Sequence, residues 1–184
     1  MLIFVSGGVR SGKSALGEQM LSAHEGGRRV YLATSEPYDG EMEERIARHR
    51  QDRAGKGFTT VERSRNVGSA ADELQPGDAV LLDCLGTLAS NEMFGGAFVE
   101  HSAASVDKLH GRIMDGIGSV RRAVSVLVVV SNEIFSDGVD YDPMTADYIM
   151  LMGRLHRSLA EAADTAIECV YGRYIVHKGE ISSQ

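Results

Sequence analysis

Five short runs along the chain are apolar at nearly every position: Leu2–Val5, Val30–Ala33, Ala79–Leu82, Val126–Val130 and Ala166–Val170. Their length and β-branched content predict strands, and consecutive rather than alternating hydrophobicity predicts strands covered on both faces. Thr59–Glu62 carries a weaker form of the same signal. Elsewhere the period changes. Val106, Leu109, Ile113, Ile117 and Val120 recur at helical spacing, as do Leu151, Leu155, Leu159 and Ala162, so each set predicts a core-facing stripe of a helix. Tyr171-Gly172-Arg173-Tyr174 reads as a tight turn into a last strand, Tyr174–His177. Gly55–Gly57 and Gly95-Gly96 read as loops. Strands alternating with amphipathic helices predict an α/β fold with a mostly parallel sheet flanked by helices. No repeat or linker interrupts the 184 residues, so residues 1–184 are expected to form one domain.

Composition narrows the function classes. The net charge is −7, which argues against a nucleic-acid-coating surface and confines any polyanion to a local pocket. The apolar run around Val124–Val130 is too short to span a bilayer. No basic segment followed by a long apolar stretch opens the chain, so a soluble, cytoplasmic protein is expected. Cys84 and Cys169 lie in apolar runs without metal spacing and are expected to be buried free thiols.

The first strand runs into Gly7-Gly8-Val9-Arg10-Ser11-Gly12-Lys13-Ser14, a match to G-x-x-x-x-G-K-[ST] followed by the helical spacing of Leu16 and Met20. Glycines let successive backbone N–H groups converge on one anion, Lys13 brings a point charge to the outer phosphates, and the Ser14 hydroxyl suits Mg²⁺. The helix starting near Lys13 adds its positive end. Arg10 either reaches phosphate or is solvated. Asp83 ends the run Ala79–Leu82, where a carboxylate at a strand's C-terminal edge meets Mg²⁺; the competing reading is a helix-capping or loop-starting Asp. Together these residues predict a phosphate-loop NTPase-like fold binding a nucleoside triphosphate with Mg²⁺.

A second segment, "YDGEMEERIARHRQDR" at residues 38–53, reads as a helix capped by Asp39, acidic early and basic late in accord with its dipole. Met42, Ile46, His49 and Arg53 share one face. The cations Arg45, Arg48, Arg50 and Arg53 around His49 favour neutral imidazole, the nucleophilic form. From spacing alone a partly buried structural histidine is the stronger reading. Neither His24, His101, His110, His156 nor His177 stands out.

The segments "SGGVRSGKS", "YLATSEPYDGEMEERIARHRQDR", "TTVE", "LLDCLGTLASN" and "VVVSNEI" occur in this order. In combination they resemble the bifunctional adenosylcobinamide kinase/adenosylcobinamide-phosphate guanylyltransferase family of cobalamin biosynthesis. The resemblance implies phosphorylation of adenosylcobinamide with ATP or GTP, then transfer of GMP from GTP through a guanylylated histidine matching His49. It implies nucleotide contacts on Gly7–Ser14, on Ala33, Thr34 and Ser35, on Arg50, Gln51, Asp52 and Arg53, and on Glu62 and Asp83. It also implies corrinoid substrates and a ring-like trimer.

The chain departs from the family pattern in its C-terminal half. Asn132-Glu133-Ile134-Phe135-Ser136-Asp137-Gly138-Val139-Asp140-Tyr141 replaces N-E-V-G-x-G-I-V-P, Ile149-Met150 replaces R-D, His156-Arg157 replaces N-Q, and Leu88 stands where an aromatic is usual. These changes point to corrinoid recognition or subunit packing rather than to nucleotide chemistry. Asn132 and Glu133 end a strand, as ligand-binding or as simple turn residues. The competing functions are a phosphate-loop kinase of another small alcohol with His49 structural, and a paralogue that binds nucleotide or corrinoid without turnover.

Overall fold

The computed structural model describes residues 1–22, 24–36, 55–95, 102–135 and 141–180. Seven strands form one sheet: β1 (Leu2–Gly7), β2 (Arg29–Ala33), β3 (Phe58–Glu62), β4 (Ala79–Asp83), β5 (Val126–Asn132), β6 (Thr165–Val170) and β7 (Arg173–Lys178). Their order is β3-β2-β4-β5-β1-β6-β7. All pairs are parallel except β6–β7, an antiparallel hairpin at one edge. Among the described residues four helices accompany the sheet: α1 (Lys13–Ser22), α2 (Leu85–Phe94), α3 (Ala103–Ala123) and α4 (Pro143–Ala162), with a 3₁₀ helix at Val67–Glu73.

The consecutive apolar residues of the strands divide between two cores, as period-2 geometry requires. Leu2, Phe4, Leu32, Val80, Leu82, Leu127 and Val129 face one way, onto α2, α3, α4 and the 3₁₀ helix. Ile3, Val5, Tyr31, Leu81, Val128 and Val130 face the other, onto Leu16, Met20 and Leu21 of α1. The predicted stripe of α3 is buried as expected, and so are Leu151, Leu155 and Leu159 of α4, whereas Ala162, at the helix end, is exposed against expectation. Asp142 caps α4, its carboxylate accepting from the N–H of Met144 (3.0 Å) and of Thr145 (3.2 Å).

Three further features differ from expectation. Strand β1 continues through Ser6 and Gly7, because both still pair with β5 and β6. Helix α2 has no predicted counterpart: it is buried almost all round, so no polar face marks its period. Cys84 is half-buried rather than buried, and Cys169 alone fits the expected inert thiol. The helix predicted across residues 39–53, Gly96 of the Gly95-Gly96 loop and the altered stretch Ser136–Asp140 lie outside the described residues.

His156 of α4 is inserted between the rings of Phe4 and Phe135, edge-on to both at 5.1 and 5.2 Å. Its Nε2 shares a 2.7 Å hydrogen bond with the hydroxyl of Ser131, fully buried near the end of β5. Burial holds its pKa down to about 4, against a weaker upward pull from Glu133. In the unfolded chain this histidine takes its proton near pH 6.5, so stability is whole above that value and falls as pH drops from 6.5 towards 4. The loss should reach roughly 3 kcal/mol. Urea titrations of wild type and His156→Leu across this range should show a steep decline in the first and a shallow one in the second.

Candidate active site: the phosphate loop and the strand ends around it

Residues 7–14 connect the end of β1 to the start of α1. The Ser11 N–H donates to the Gly8 carbonyl (3.2 Å) and the Leu16 N–H to the Gly12 carbonyl (2.9 Å), which draws the loop into a closed arch. Gly12 has φ of 97° and Arg10 a φ of 60°, backbone states that let neighbouring N–H groups point to a common centre. Gly7 is demanded by space, since a Cβ there would lie 2.5 Å from the Cys169 carbonyl oxygen and 2.6 Å from Ser11 Oγ. The Lys13 side chain turns back over the arch, its ammonium donating to the Gly8 carbonyl at 3.1 Å, and is only 8% exposed. Ser14 sits in the first helical turn. Ser11 Oγ is buried without a hydrogen-bond partner, an orphan of the kind a bound ligand satisfies.

Behind the arch, burial pushes the Cys169 thiol pKa up while the Lys13 charge pulls it down. The arch is also braced at its start and on its flank. The Glu133 N–H donates to the Gly7 carbonyl (2.9 Å) and the Gly172 N–H to the Ser11 carbonyl (3.0 Å).

The other sequence-derived candidates gather at the same C-terminal edge of the sheet, where ligands of open parallel sheets bind. Glu62 and Asp83 are both in register with Ala33, on either side of it. Asp83 does not cap α2, whose N-cap position is Cys84. Its carboxylate instead accepts a 2.8 Å hydrogen bond from the Tyr31 hydroxyl. A carboxylate held in this way and a hydroxyl at a helix start are hard oxygen donors, the set Mg²⁺ takes beside phosphate oxygens. The Glu133 carboxylate accepts from the Phe135 N–H (2.6 Å), a local turn after β5. Val9 and Arg10 are exposed on the crest of the loop, and Ser35 is exposed beyond β2. His49, Arg50, Gln51, Asp52 and Arg53 lie outside the described residues.

One organising residue was not singled out by the sequence. Asn91, buried in α2, donates through Nδ2 to the carbonyls of Thr34 (2.8 Å) and Ser64 (3.2 Å). Thr34 in turn bridges β4: its hydroxyl donates to the Cys84 carbonyl and accepts from the Cys84 N–H, both at 2.9 Å. The ends of β2, β3 and β4 are thereby tied to one amide. Nothing in its spacing marks Asn91, because both partners are distant in sequence.

The model of the family described as cobinamide kinase / cobinamide phosphate guanyltransferase matches residues 3–176. The chain belongs to this family. Among similar curated proteins, the bifunctional adenosylcobalamin biosynthesis protein CobU of Escherichia coli is 31% identical over 170 residues, covering 89% of this chain and 92% of that protein. The CobU of Salmonella typhimurium is 32% identical over the same length and shares. The CobP of Pseudomonas aeruginosa is 30% identical over 176 residues, 96% of each chain. The kinase/guanyltransferase family match therefore runs from β1 into β7 and contains the phosphate loop, Asp83 and Asn91.

Replacing Asn91 with Ala in this family member removes the donor from two carbonyls and should cost about 1–3 kcal/mol of stability. Denaturant unfolding measures it, and a cost near zero would show that the amide does not secure the strand ends.

Proposed function

We propose that this chain, as a single phosphate-loop domain, catalyses both reactions for which its family is named: phosphorylation of adenosylcobinamide by ATP or GTP, and transfer of GMP from GTP to the resulting phosphate. The observation that carries the reading is the closed arch with Lys13 folded over it, within a chain that matches the family along nearly its whole length. In the kinase step the arch N–H groups and Lys13 hold the triphosphate and neutralise charge as the γ-phosphoryl group passes to the corrinoid hydroxyl. Ser14 and Asp83 would hold Mg²⁺, which when bound screens the phosphate charges, and the Tyr31 hydroxyl keeps the Asp83 carboxylate oriented.

In the second step a ring nitrogen of His49 attacks the α-phosphorus of GTP. The P–N bond forms as the bond to the pyrophosphate oxygen breaks, and the ring N–H proton leaves. A phosphate oxygen of adenosylcobinamide phosphate then attacks the same phosphorus, the P–N bond breaks and the imidazole is restored. Two displacements replace one difficult encounter between anions. Ala33, Thr34, Ser35, Glu62 and Arg50–Arg53 are assigned to nucleotide contact in this step. The assembly is assigned as a trimer, and the exposed apolar side chains of Tyr174, Ile175 and Val176 on edge strand β7 offer surface for it. Among the described residues no helix is long and apolar enough to cross a membrane.

Mass spectrometry after incubation with GTP and Mg²⁺ should show a GMP adduct on wild type and none on His49→Ala. The same variant should still phosphorylate adenosylcobinamide. An adduct persisting without His49 moves the nucleophile elsewhere; none on either protein leaves a kinase alone. Lys13→Ala should reduce the phosphorylation rate by a factor of at least about 100, the scale of losing one preorganised charge-stabilising group. An unchanged rate would contradict the role given to the arch.

A further inference from the structure

The β6–β7 hairpin turns through two residues, Tyr171 and Gly172, since Val170 pairs with Arg173. Both have positive φ, 48° and 76°, as the tightest hairpin turns require. Asn, Asp or Gly normally fills the first of these positions, because a bulky side chain is strained there. Here it is Tyr171, and its side chain lies almost wholly in solvent at 97% exposure. A strained backbone carrying an aromatic ring that contributes nothing to the core is a functional signal. The turn is also fastened to the phosphate loop: the Gly172 N–H donates to the Ser11 carbonyl at 3.0 Å, and a Cβ on Gly12 would lie 3.7 Å from Gly172 Cα.

Sheet order says which end of a nucleotide reaches this turn. Asp83 ends β4, two strands from β1, while β6 is the neighbour of β1 on the opposite side. With strands about 4.8 Å apart, the carboxylate that faces outer phosphates and metal stands about 10 Å to one side of the loop and the hairpin about 5 Å to the other. A triphosphate lying across the arch with its terminal phosphate towards Asp83 sends its nucleoside towards Tyr171. We propose that the Tyr171 ring is a stacking platform for the base of the nucleoside triphosphate held by the phosphate loop. This rests on the phosphate-loop reading above. Stacking on a lone ring discriminates little between bases, so the platform suits a site that accepts either purine triphosphate.

Calorimetric titration of wild type, Tyr171→Asn and Tyr171→Phe with ATP, GTP and inorganic tripolyphosphate, each with Mg²⁺, tests the assignment. Asn relaxes the turn, so its variant should melt no lower than wild type yet bind ATP and GTP roughly 5- to 100-fold more weakly. Tyr171→Phe should keep wild-type affinity, and tripolyphosphate, which has no base, should bind all three proteins alike. Equal weakening for tripolyphosphate and nucleotide would make the turn a support for the loop and overturn the platform. Unchanged nucleotide affinity in Tyr171→Asn would overturn it too, whether or not sedimentation shows that the ring serves contact between copies. A wild type that binds neither nucleotide nor tripolyphosphate would instead refute the phosphate loop and the platform with it.

Discussion

A chain of net charge −7 that must hold a multiply charged anion faces one governing constraint: the attraction has to be supplied locally and with fixed geometry. It is met by the arch at the end of β1. Backbone N–H groups carry no net charge to be screened, and Lys13 adds a single cation withdrawn from solvent and pinned to the Gly8 carbonyl. Charge presented in this way acts in a poorly solvated setting, where it is worth more than on an open surface. The remaining architecture serves to keep that arch in shape. Strand β5 anchors its first carbonyl, the β6–β7 hairpin anchors Ser11, and β6 crowds Gly7 from behind.

The strands on the Asp83 side are secured by a separate device. Asn91 and Thr34 fix three strand ends against one another, and Tyr31 fixes the carboxylate of Asp83. Arch and carboxylate are thus held by different networks joined through the parallel ladders of β4, β5 and β1. His156 steadies the strand between them by engaging Ser131. Two of the residues that depart from the family pattern meet at this last contact, where Phe135 lies on one side of the His156 imidazole.

Much of this was legible in the sequence where the signal is local. The phosphate loop is contiguous, so its residues and the strand and helix around it could be named directly. The central strands announced themselves because both faces are buried. Edge strand β3 was faint because only Phe58 and Val61 of its residues are buried, without a period of two, and α2 was silent because burial almost all round erases periodicity. What held the site together was hidden for another reason. Asn91 and Thr34 are 57 residues apart, Tyr31 and Asp83 are 52 apart, and Ser131 and His156 are 25 apart. No spacing rule reaches across such distances. The strain at Tyr171 is likewise a property of its backbone angle, visible only after the turn is placed.

In the proposed complex a nucleoside triphosphate lies across the arch with its outer phosphates towards Asp83. A crystal structure with a non-hydrolysable GTP analogue and Mn²⁺ in place of Mg²⁺ tests it most directly. The terminal phosphates should lie under the arch of residues 7–14, beside Lys13, with an anomalous Mn²⁺ peak between the Ser14 hydroxyl and the Asp83 carboxylate. Nucleotide density away from the arch, or a Mn²⁺ peak remote from both oxygens, would contradict it.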